Sequence, residues 1–540
     1  VQAVSTLQLV STVDSTTARE PVLRSLVLAA CAGLLIALAG APLELTAPAF
    51  LAPAALLLAI EPEPGRAVRA RRALLYGLVL GVVTNVYSMG WVVGLLEEFG
   101  GFPFVLALPV GALLWIGQSL LYVTASMVGA ELIRARVPGW LAIPAALCVV
   151  GSLTPALFPW RYGVSQLPFT PFAQVAELGS LPLLDLLIAI VGCGLVEALR
   201  RRARTPAVVA ALALVVPVAY GLVRLDHVRG AREAAPRLAV GVVQPNIGIR
   251  DKHDPRQHVD HLHLLRAMTR ELEQRGAELV LWPESSYPFP VHRDATHDLG
   301  GTLGAVSDGV RGPVLTGAIT TAGPPARALV TDARGVLVGT FPMGRDARYN
   351  SAVGFERGGR IAGIADKVRL LAFGEYVPFW DYIPPLQRFP RGLMPGEGAQ
   401  LVELAGTRIG VLNCYEDLLA DHVQWQAGYA PAFWANLTNN AWFGNTNAPH
   451  LHHMNARLRA IETRRDLVRA VNTGVSGHTL ATGEDAVQTG TFVSASFVAD
   501  VRLLEGTTVW VALGDWVTPT VAGALAAVIL ASWRRRRRGR

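Results

Sequence analysis

Arg408-Ile-Gly-Val-Leu-Asn-Cys414-Tyr-Glu-Asp417 is a short apolar run that halts on a cysteine and then turns polar. The apolar part predicts a buried strand, and the polar residues after it predict a turn into a helix. A thiol on such a turn stands at the edge of a sheet, where the positive end of a helix favours thiolate. Two other segments share this shape. Leu279-Val-Leu-Trp-Pro-Glu284 ends on a carboxylate, and Ile361-Ala-Gly-Ile-Ala-Asp-Lys367 ends on an ammonium.

Outward from these three, strands are expected at 238–243, 279–282 (stopping at Pro283), 314–319, 328–331, 336–341, 361–365, 408–412, 432–437 and 467–472. Asp332-Ala-Arg-Gly335 reads as a hairpin turn. Val259, Leu262, Leu265, Met268 and Leu272 recur at helical spacing over 258–275, and Gly276 ends that helix. A second helix is expected at 455–464. Strands alternating with helices predict an α/β sandwich, a mixed sheet with helices packed on its faces.

The rest of the 540-residue chain is of another kind. The chain as a whole is 51% hydrophobic and only 16% charged, with a mean hydropathy of +0.37, against about 25% charged in soluble proteins. This excludes a disordered chain or a nucleic-acid coat. The apolar residues crowd into the first 225 positions and one late stretch. Eight membrane spans are expected, at 23–41, 47–60, 73–96, 102–132, 138–157, 181–199, 206–225 and 518–533. The net charge of +7 is carried by arginine clusters beside these spans: 66–72, 134/136, 200–204 and 534–540. With a cytoplasmic N-terminus all four fall on the inner side, and 226–517 falls outside. The expected organisation is therefore a tail over 1–22, a seven-helix membrane region over 23–225, an external domain over 226–517, a last span over 518–533 and a basic cytoplasmic tail over 534–540. The Ser/Thr-rich first residues lack the pattern of a cleaved signal peptide. Ionisable residues are scarce within the spans, which argues for an anchor or lipid-access scaffold rather than a transporter. Of the four cysteines only Cys414 lies in the polar domain, so no disulfide framework can be built.

Cysteine, glutamate and lysine at three strand ends suit acyl transfer through a thioester. The glutamate takes the thiol proton as general base. The lysine stabilises the oxyanion and lowers the thiol pKa. On residue chemistry alone a bland reading stands beside this one, with Cys414 as a small core residue and Glu284 and Lys367 as surface charges.

Leu281-Trp-Pro-Glu284, Asp366-Lys367 with Phe373-Gly-Glu-Tyr-Val-Pro378, and Asn413-Cys-Tyr-Glu416 resemble the nitrilase superfamily with its Glu-Lys-Cys triad. Within an eight-span frame, and with Asn436-Leu-Thr-Asn-Asn-Ala-Trp-Phe-Gly444 and Arg457-Leu-Arg-Ala-Ile-Glu462, the chain resembles the membrane-embedded branch of that superfamily, the apolipoprotein N-acyltransferase family. The resemblance implies a membrane helical bundle joined to an αββα nitrilase-like domain on the periplasmic side of a bacterial inner membrane. It implies Glu284 as base, Lys367 at the oxyanion and Cys414 as nucleophile. A phospholipid, with phosphatidylethanolamine expected, would donate the acyl chain, and the α-amino group of a diacylglyceryl-cysteine at an apolipoprotein N-terminus would accept it. No cofactor, metal or nucleic acid is implied. Glu375, Tyr415 and Glu416 match further essential positions of the family. Their alternative reading is structural, with Glu375 holding Lys367 and Glu416 capping a helix. The family's Lys-Trp-Asp is here Lys252-His253-Asp254, so His253 stands where an aromatic ring would pack on lipid or on the site mouth.

Two aromatic loops are candidates for lipid contact. One runs from Phe373 to Gly392 and holds Tyr376, Phe379, Trp380, Tyr382 and Phe389; the other carries Trp442 and Phe443. Ordinary packing is the alternative for both. Asn350 is a candidate donor to the site, with a strand-end hydrogen bond as its alternative. His450, His452 and His453 have a metal-like spacing but no matched carboxylate or cysteine nearby, so no metal site is expected. Two rival functions share the sequence: a membrane-tethered amidase that uses water as acceptor, and a non-catalytic lipid-binding scaffold.

Overall fold

A computed structural model describes residues 20–538 except 308, 389 and 390. Most of the expected tail, and Phe389 of the aromatic loop, lie outside the described residues. The first part is helical: α1 Glu20–Ala39, α2 Thr46–Ile60, α3 Ala70–Met89, α4 Trp91–Glu98, α5 Phe104–Gln118, α6 Leu120–Arg134, α7 Gly139–Leu153, α8 Thr170–Ala173, α9 Ala176–Arg201 and α10 Arg204–Ala234. Among the described residues, five stretches are long and apolar enough to cross a membrane: 22–39, 70–89, 104–134 (α5 with α6), 176–201 and 204–234. Three further apolar helices, Thr46–Ile60, Gly139–Leu153 and Val517–Ala531, are shorter.

Several expected spans differ in detail. The run over 73–96 is two helices, because the chain breaks at Gly90. The run over 102–132 breaks at Ser119. α9 starts earlier than expected and carries a break at Gly179–Ser180, where Ser180 has φ 53°. Hydropathy runs unbroken through Gly90 and Ser119, which hides both breaks. Small residues let the helices close up: a Cβ on Gly81 would stand 2.5 Å from the Ser119 Cβ, so α3 meets the α5–α6 junction backbone to backbone. α10 has 31 residues, about 46 Å of helix against a hydrocarbon core of about 30 Å. Its last turns therefore stand clear of the apolar layer, and Arg232 there pairs with Asp466 at 2.7 Å.

The second part holds fourteen strands: β1 Arg237–Gln244, β2 Leu279–His292, β3 Val314–Ala322, β4 Ala326–Thr331, β5 Leu337–Met343, β6 Ala347–Phe355, β7 Ile361–Asp366, β8 Leu401–Leu404, β9 Thr407–Asn413, β10 Phe433–Thr438, β11 Leu467–Val471, β12 Gly477–Thr479, β13 Asp485–Gln488 and β14 Ala495–Arg502. Its helices are α11 Ile249–Lys252, α12 His258–Gln274, α13 Ala420–Ala427, α14 Ala448–Thr463 and α15 Val509–Leu513; α16 Val517–Arg538 closes the chain. Two six-stranded sheets form, β14-β1-β2-β3-β6-β7 and β13-β12-β11-β10-β9-β8, with β4-β5 as a separate hairpin.

Val240, Val242, Leu281 and Leu315 of one sheet face Ile409, Val411, Phe433 and Leu437 of the other in one buried cluster. On the outer faces, α12 packs Leu262, Leu265 and Leu272 against Val243 and Trp282. α14 packs Ala456 and Ala460 against Leu412 and Trp434, with Val423 of α13 in the same cluster. The domain is thus four layers, helix-sheet-sheet-helix, as expected. α14 is longer than expected because the polar His450–Asn455 segment also lies in it. Its other side meets the membrane helices, where Leu451, Leu458 and Ile461 join Phe172 and Leu184. Just beyond α14, Arg464 pairs with Glu177 of α9 at 2.6 Å. One correction bears on the site: β2 does not stop at Pro283. It runs on through Glu284, with its pairing to β3 shifting between Trp282 and Tyr287.

Candidate active site

Each of the three singled-out side chains sits where its strand distorts or ends. Glu284 lies on the irregular stretch of β2, and Ser285 after it has φ 49°. Gly317 of β3 lies under this stretch; a Cβ there would stand 2.4 Å from the Ser285 nitrogen, so only glycine permits the approach. Lys367 comes directly after β7, its backbone N–H donating to the Asn350 carbonyl at 2.7 Å. Cys414 comes directly after β9 with φ 51°, a left-handed conformation that lifts the thiol off the sheet edge.

The three meet. The Cys414 thiol lies beside the Glu284 carboxylate, close enough for each to shift the other's protonation. Lys367 Nζ reaches Glu284 Oε1 at 3.4 Å and Glu375 Oε2 at 2.8 Å. Asn350 Nδ2 donates to Glu284 Oε1 and to Glu375 Oε1, each at 2.8 Å. The Asn439 backbone N–H donates to Glu284 Oε2 at 3.1 Å. Lys252 Nζ donates to the Glu284 main-chain carbonyl at 2.7 Å. Two ammonium groups and two carboxylates thus share one buried site.

This environment sets the protonation states. Burial opposes charge on Glu284, but Lys367, the Asn350 amide and Lys252 outweigh it and hold the carboxyl below its ordinary range. Burial likewise opposes charge on Lys367, yet Glu284 and Glu375 keep it firmly protonated. The thiol goes the other way. Burial and the negative Glu284 raise Cys414 well above the ordinary cysteine value, and Lys367 only partly compensates. The expected bias toward thiolate is therefore reversed. The segment that begins at the nucleophile is a five-residue 3-10 turn, Cys414–Leu418, with little dipole to offer. Cys414 thus rests as a thiol beside a charged carboxylate, an arrangement in which Glu284 can take its proton.

The supporting residues divide. Glu375 holds Lys367 and Asn350 and accepts from the Leu371 backbone at 2.8 Å, so its contacts are those of a positioning group. Glu416 is fully buried and fastens two turns together. Its Oε1 accepts from the Val368 and Arg369 N–H groups, and its Oε2 from the Asn413 N–H and from Gln400 Nε2, all within 2.8–2.9 Å. Tyr415 turns away from the thiol; its hydroxyl donates to the Leu157 carbonyl at 2.8 Å, tying the nucleophile loop to the membrane region.

Of the aromatic candidates, Phe443 is docked on Trp91 of α4, with ring centroids 4.6 Å apart. Trp442 lies between Phe99 at 4.9 Å and His253 at 5.9 Å. His253 therefore contributes a ring to the aromatic mouth after all. Trp380 is distant in role: it lies under Arg391, 5.8 Å from ring to guanidinium carbon, in a loop that exposes Phe373, Phe379 and Tyr382. The histidines separate. His452 bonds Asp417 at 2.8 Å and His453 bonds Asp485 at 3.0 Å, and no metal-holding cluster occurs among the described residues. Lys252 and Asn439 also contact Glu284; both lie in stretches that bear on the family resemblance, but the sequence alone assigns neither a role at the site.

Comparisons with known proteins agree with this division of the chain. The profile of the apolipoprotein N-acyltransferase N-terminal domain matches residues 32–194, and that of the carbon-nitrogen hydrolase family matches residues 239–518. An apolipoprotein N-acyltransferase of Rhizobium meliloti is 32% identical over 82% of this chain and 84% of its own length. One from Azotobacter vinelandii is 30% identical over 95% of each chain. Among solved structures, an amidase from Nesterenkonia sp. covers 50% of this chain and 93% of its own, at 16% identity and a TM-score of 0.34.

Proposed function

This chain belongs to the apolipoprotein N-acyltransferase family, and from that membership we propose that it transfers a fatty acyl chain through a thioester on Cys414. In the first half-reaction Sγ attacks the ester carbonyl carbon of a phospholipid while Glu284 takes the thiol proton. The tetrahedral oxygen develops its charge beside Lys367 Nζ. Collapse breaks the ester C–O bond, and Glu284 returns the proton to the departing glycerol oxygen. A lysophospholipid leaves and an acyl-enzyme remains. In the second half the α-amino nitrogen of a diacylglyceryl-cysteine attacks the thioester carbon. Glu284 accepts the amine proton, the C–S bond breaks, and the thiol is restored with formation of an amide. The observation that carries this reading is the convergence, from three strands, of the Cys414 thiol, the Glu284 carboxylate and the Lys367 ammonium, with Lys367 Nζ 3.4 Å from Glu284 Oε1.

The surroundings support a lipid substrate. The aromatic mouth of Trp442, Phe443 and His253 rests on α4 and Phe99 of the membrane region. We assign the protein eight spans, with residues 226–517 on the periplasmic side of a bacterial inner membrane and 534–540 in the cytoplasm. In support, the arginine clusters after α2 and α9 share one end of the bundle, where Arg200 Nη2 donates to the Glu61 carbonyl at 2.8 Å and Arg201 pairs with Glu61 at 3.4 Å. Incubation with phospholipid and a diacylated lipopeptide tests the function: amide transfer is expected, and phospholipid hydrolysis without transfer would favour an amidase-like use of water.

The aromatic mouth and the second lysine each carry a prediction. Trp442→Ala is expected to lower turnover of long-chain phospholipid more than turnover of a short-chain soluble ester; equal losses on both would remove the lipid-contact role. Lys252 has its pKa lowered by burial to about 8. Its positive charge favours the Glu284 carboxylate and the anion formed on attack, and that charge is lost as pH rises through this value. Acyl-enzyme formation in single turnover should therefore slow above pH 8. Lys252→Met should flatten that alkaline limb, and an unchanged limb in the variant would assign it to another group.

A further inference from the structure

Behind Phe158, away from Tyr415, lies a cavity of about 80 Å³ at the junction of the membrane helices with α14. One water needs about 10–15 Å³, so the space takes a short stretch of chain and not merely a solvent molecule. Ile36, Leu121, Tyr122, Leu451 and Met454 make much of its wall apolar. Polar side chains such as Asn85, Ser88 and Gln118 also line it, and two of the lining residues carry donors that are left unpaired. Trp160 Nε1 and Arg161 Nη2 are both buried, and neither has a hydrogen-bond partner among the described residues.

The Arg161 side chain is only 9% exposed, and its other nitrogens are committed: Nε to Asp185 Oδ2 at 2.5 Å and Nη1 to Ser152 Oγ at 3.2 Å. Because Asp185 already neutralises the guanidinium, the site has no surplus charge for an anion. What it has is a pair of buried N–H groups, costly to leave unmade, within an apolar pocket. The complement is a neutral acceptor on an apolar body, such as an ester carbonyl on an acyl chain.

The position fits. Phe158 lines the cavity and lies 6.1 Å, centroid to centroid, from Tyr415, the residue after the nucleophile. One aromatic layer thus separates the cavity from the site. A glycerolipid whose reacting ester is at Cys414 carries its second ester on the neighbouring glycerol carbon. We propose that this cavity binds the non-reacting acyl ester of a glycerolipid, whose carbonyl accepts hydrogen bonds from Trp160 Nε1 and Arg161 Nη2. The inference rests on the thioester reading of Cys414. Both the phospholipid donor and the diacylglyceryl acceptor present such an ester, and the experiment separates them.

The full-length protein is assayed in nanodiscs with a diacyl phospholipid and with a monoether analogue whose non-transferred chain is ether-linked, so that only one carbonyl is lost. A parallel arm compares a diacylated lipopeptide with its monoether analogue in the second half-reaction. We expect the ether to raise KM about 25-fold, the effect of two hydrogen bonds of about 1 kcal/mol each, in one arm: the first if the donor occupies the cavity, the second if the acceptor does. Trp160→Phe, which removes the indole N–H and keeps an aromatic ring, should cut that ratio to about fivefold. Gly151→Ala, whose methyl would stand 2.8 Å from Arg161 Nη2, should do the same. Equal KM for ester and ether in both arms, or a preference undiminished in Trp160→Phe, overturns the proposal. A short-chain soluble ester serves as the separate control. If it acylates Cys414 while the ratio is one, only the cavity assignment has failed; if it leaves no adduct, the thioester reading has failed and the cavity assignment with it.

Discussion

Cys414→Ala is expected to abolish acyl transfer, with a loss of about 10⁴-fold or more, the scale on which removal of a covalent nucleophile acts. No substitute stands nearby in role. Tyr415 spends its hydroxyl on the Leu157 carbonyl, and the other cysteines, Cys31, Cys148 and Cys193, lie on the membrane helices α1, α7 and α9. The substitution should leave the fold intact. The thiol belongs to a partly exposed residue at a turn, and that turn is held by Glu416 through the Asn413, Val368 and Arg369 backbones. Transfer measured with phospholipid and lipopeptide, beside an unchanged melting temperature, checks both halves. Retained transfer would point to a direct mechanism without an acyl-enzyme.

Lys367→Met is the second large effect, and it differs in kind. The ammonium is buried between Glu284 and Glu375, and Asn350 donates to both carboxylates. Without it, two carboxylates share the site with only Lys252, which donates to the Glu284 main chain, as a nearby cation. Such a pair takes up a proton, and protonated Glu284 is no base. The oxyanion also loses its cation, a contribution of about 10²–10³-fold. Together these predict a fall in kcat of about 10³–10⁴-fold with little change in KM. Stability falls as well, since breaking a buried pair costs about 3–5 kcal/mol. Glu375→Gln should be milder, because an amide oxygen still accepts from Lys367. A Lys367→Met enzyme with wild-type kcat would remove the lysine from the chemistry.

The sequence made the strands before Glu284, Lys367 and Cys414 legible because each is an apolar run that ends on a charged or reactive side chain. The buried stripe of α12 is legible too, but residue patterning reads as one mixed sheet between helices; the two stacked sheets are implied only by the family resemblance. Elsewhere the physics was hidden. β6 starts polar and then, from Asn350 to Phe355, is buried on both faces, so it lacks the alternation that marks a half-buried strand. The break at Ser119 lies in an apolar stretch whose pattern does not change there. The state of the thiol is not legible because it depends first on burial and then on the adjacent Glu284, which together outweigh the lysine that the chain pattern suggested. The role of Lys252 is not legible because it comes from a contact 32 residues away in the chain.

The most direct test is mass spectrometry of the intact, full-length protein after incubation with phospholipid in the absence of acceptor. The account predicts a mass gain of one acyl group, mapped to the peptide that contains Cys414, discharged on addition of a diacylated lipopeptide with formation of its N-acyl product. An absent adduct, an adduct on another residue, or one that water removes while the lipopeptide stays unmodified would contradict it.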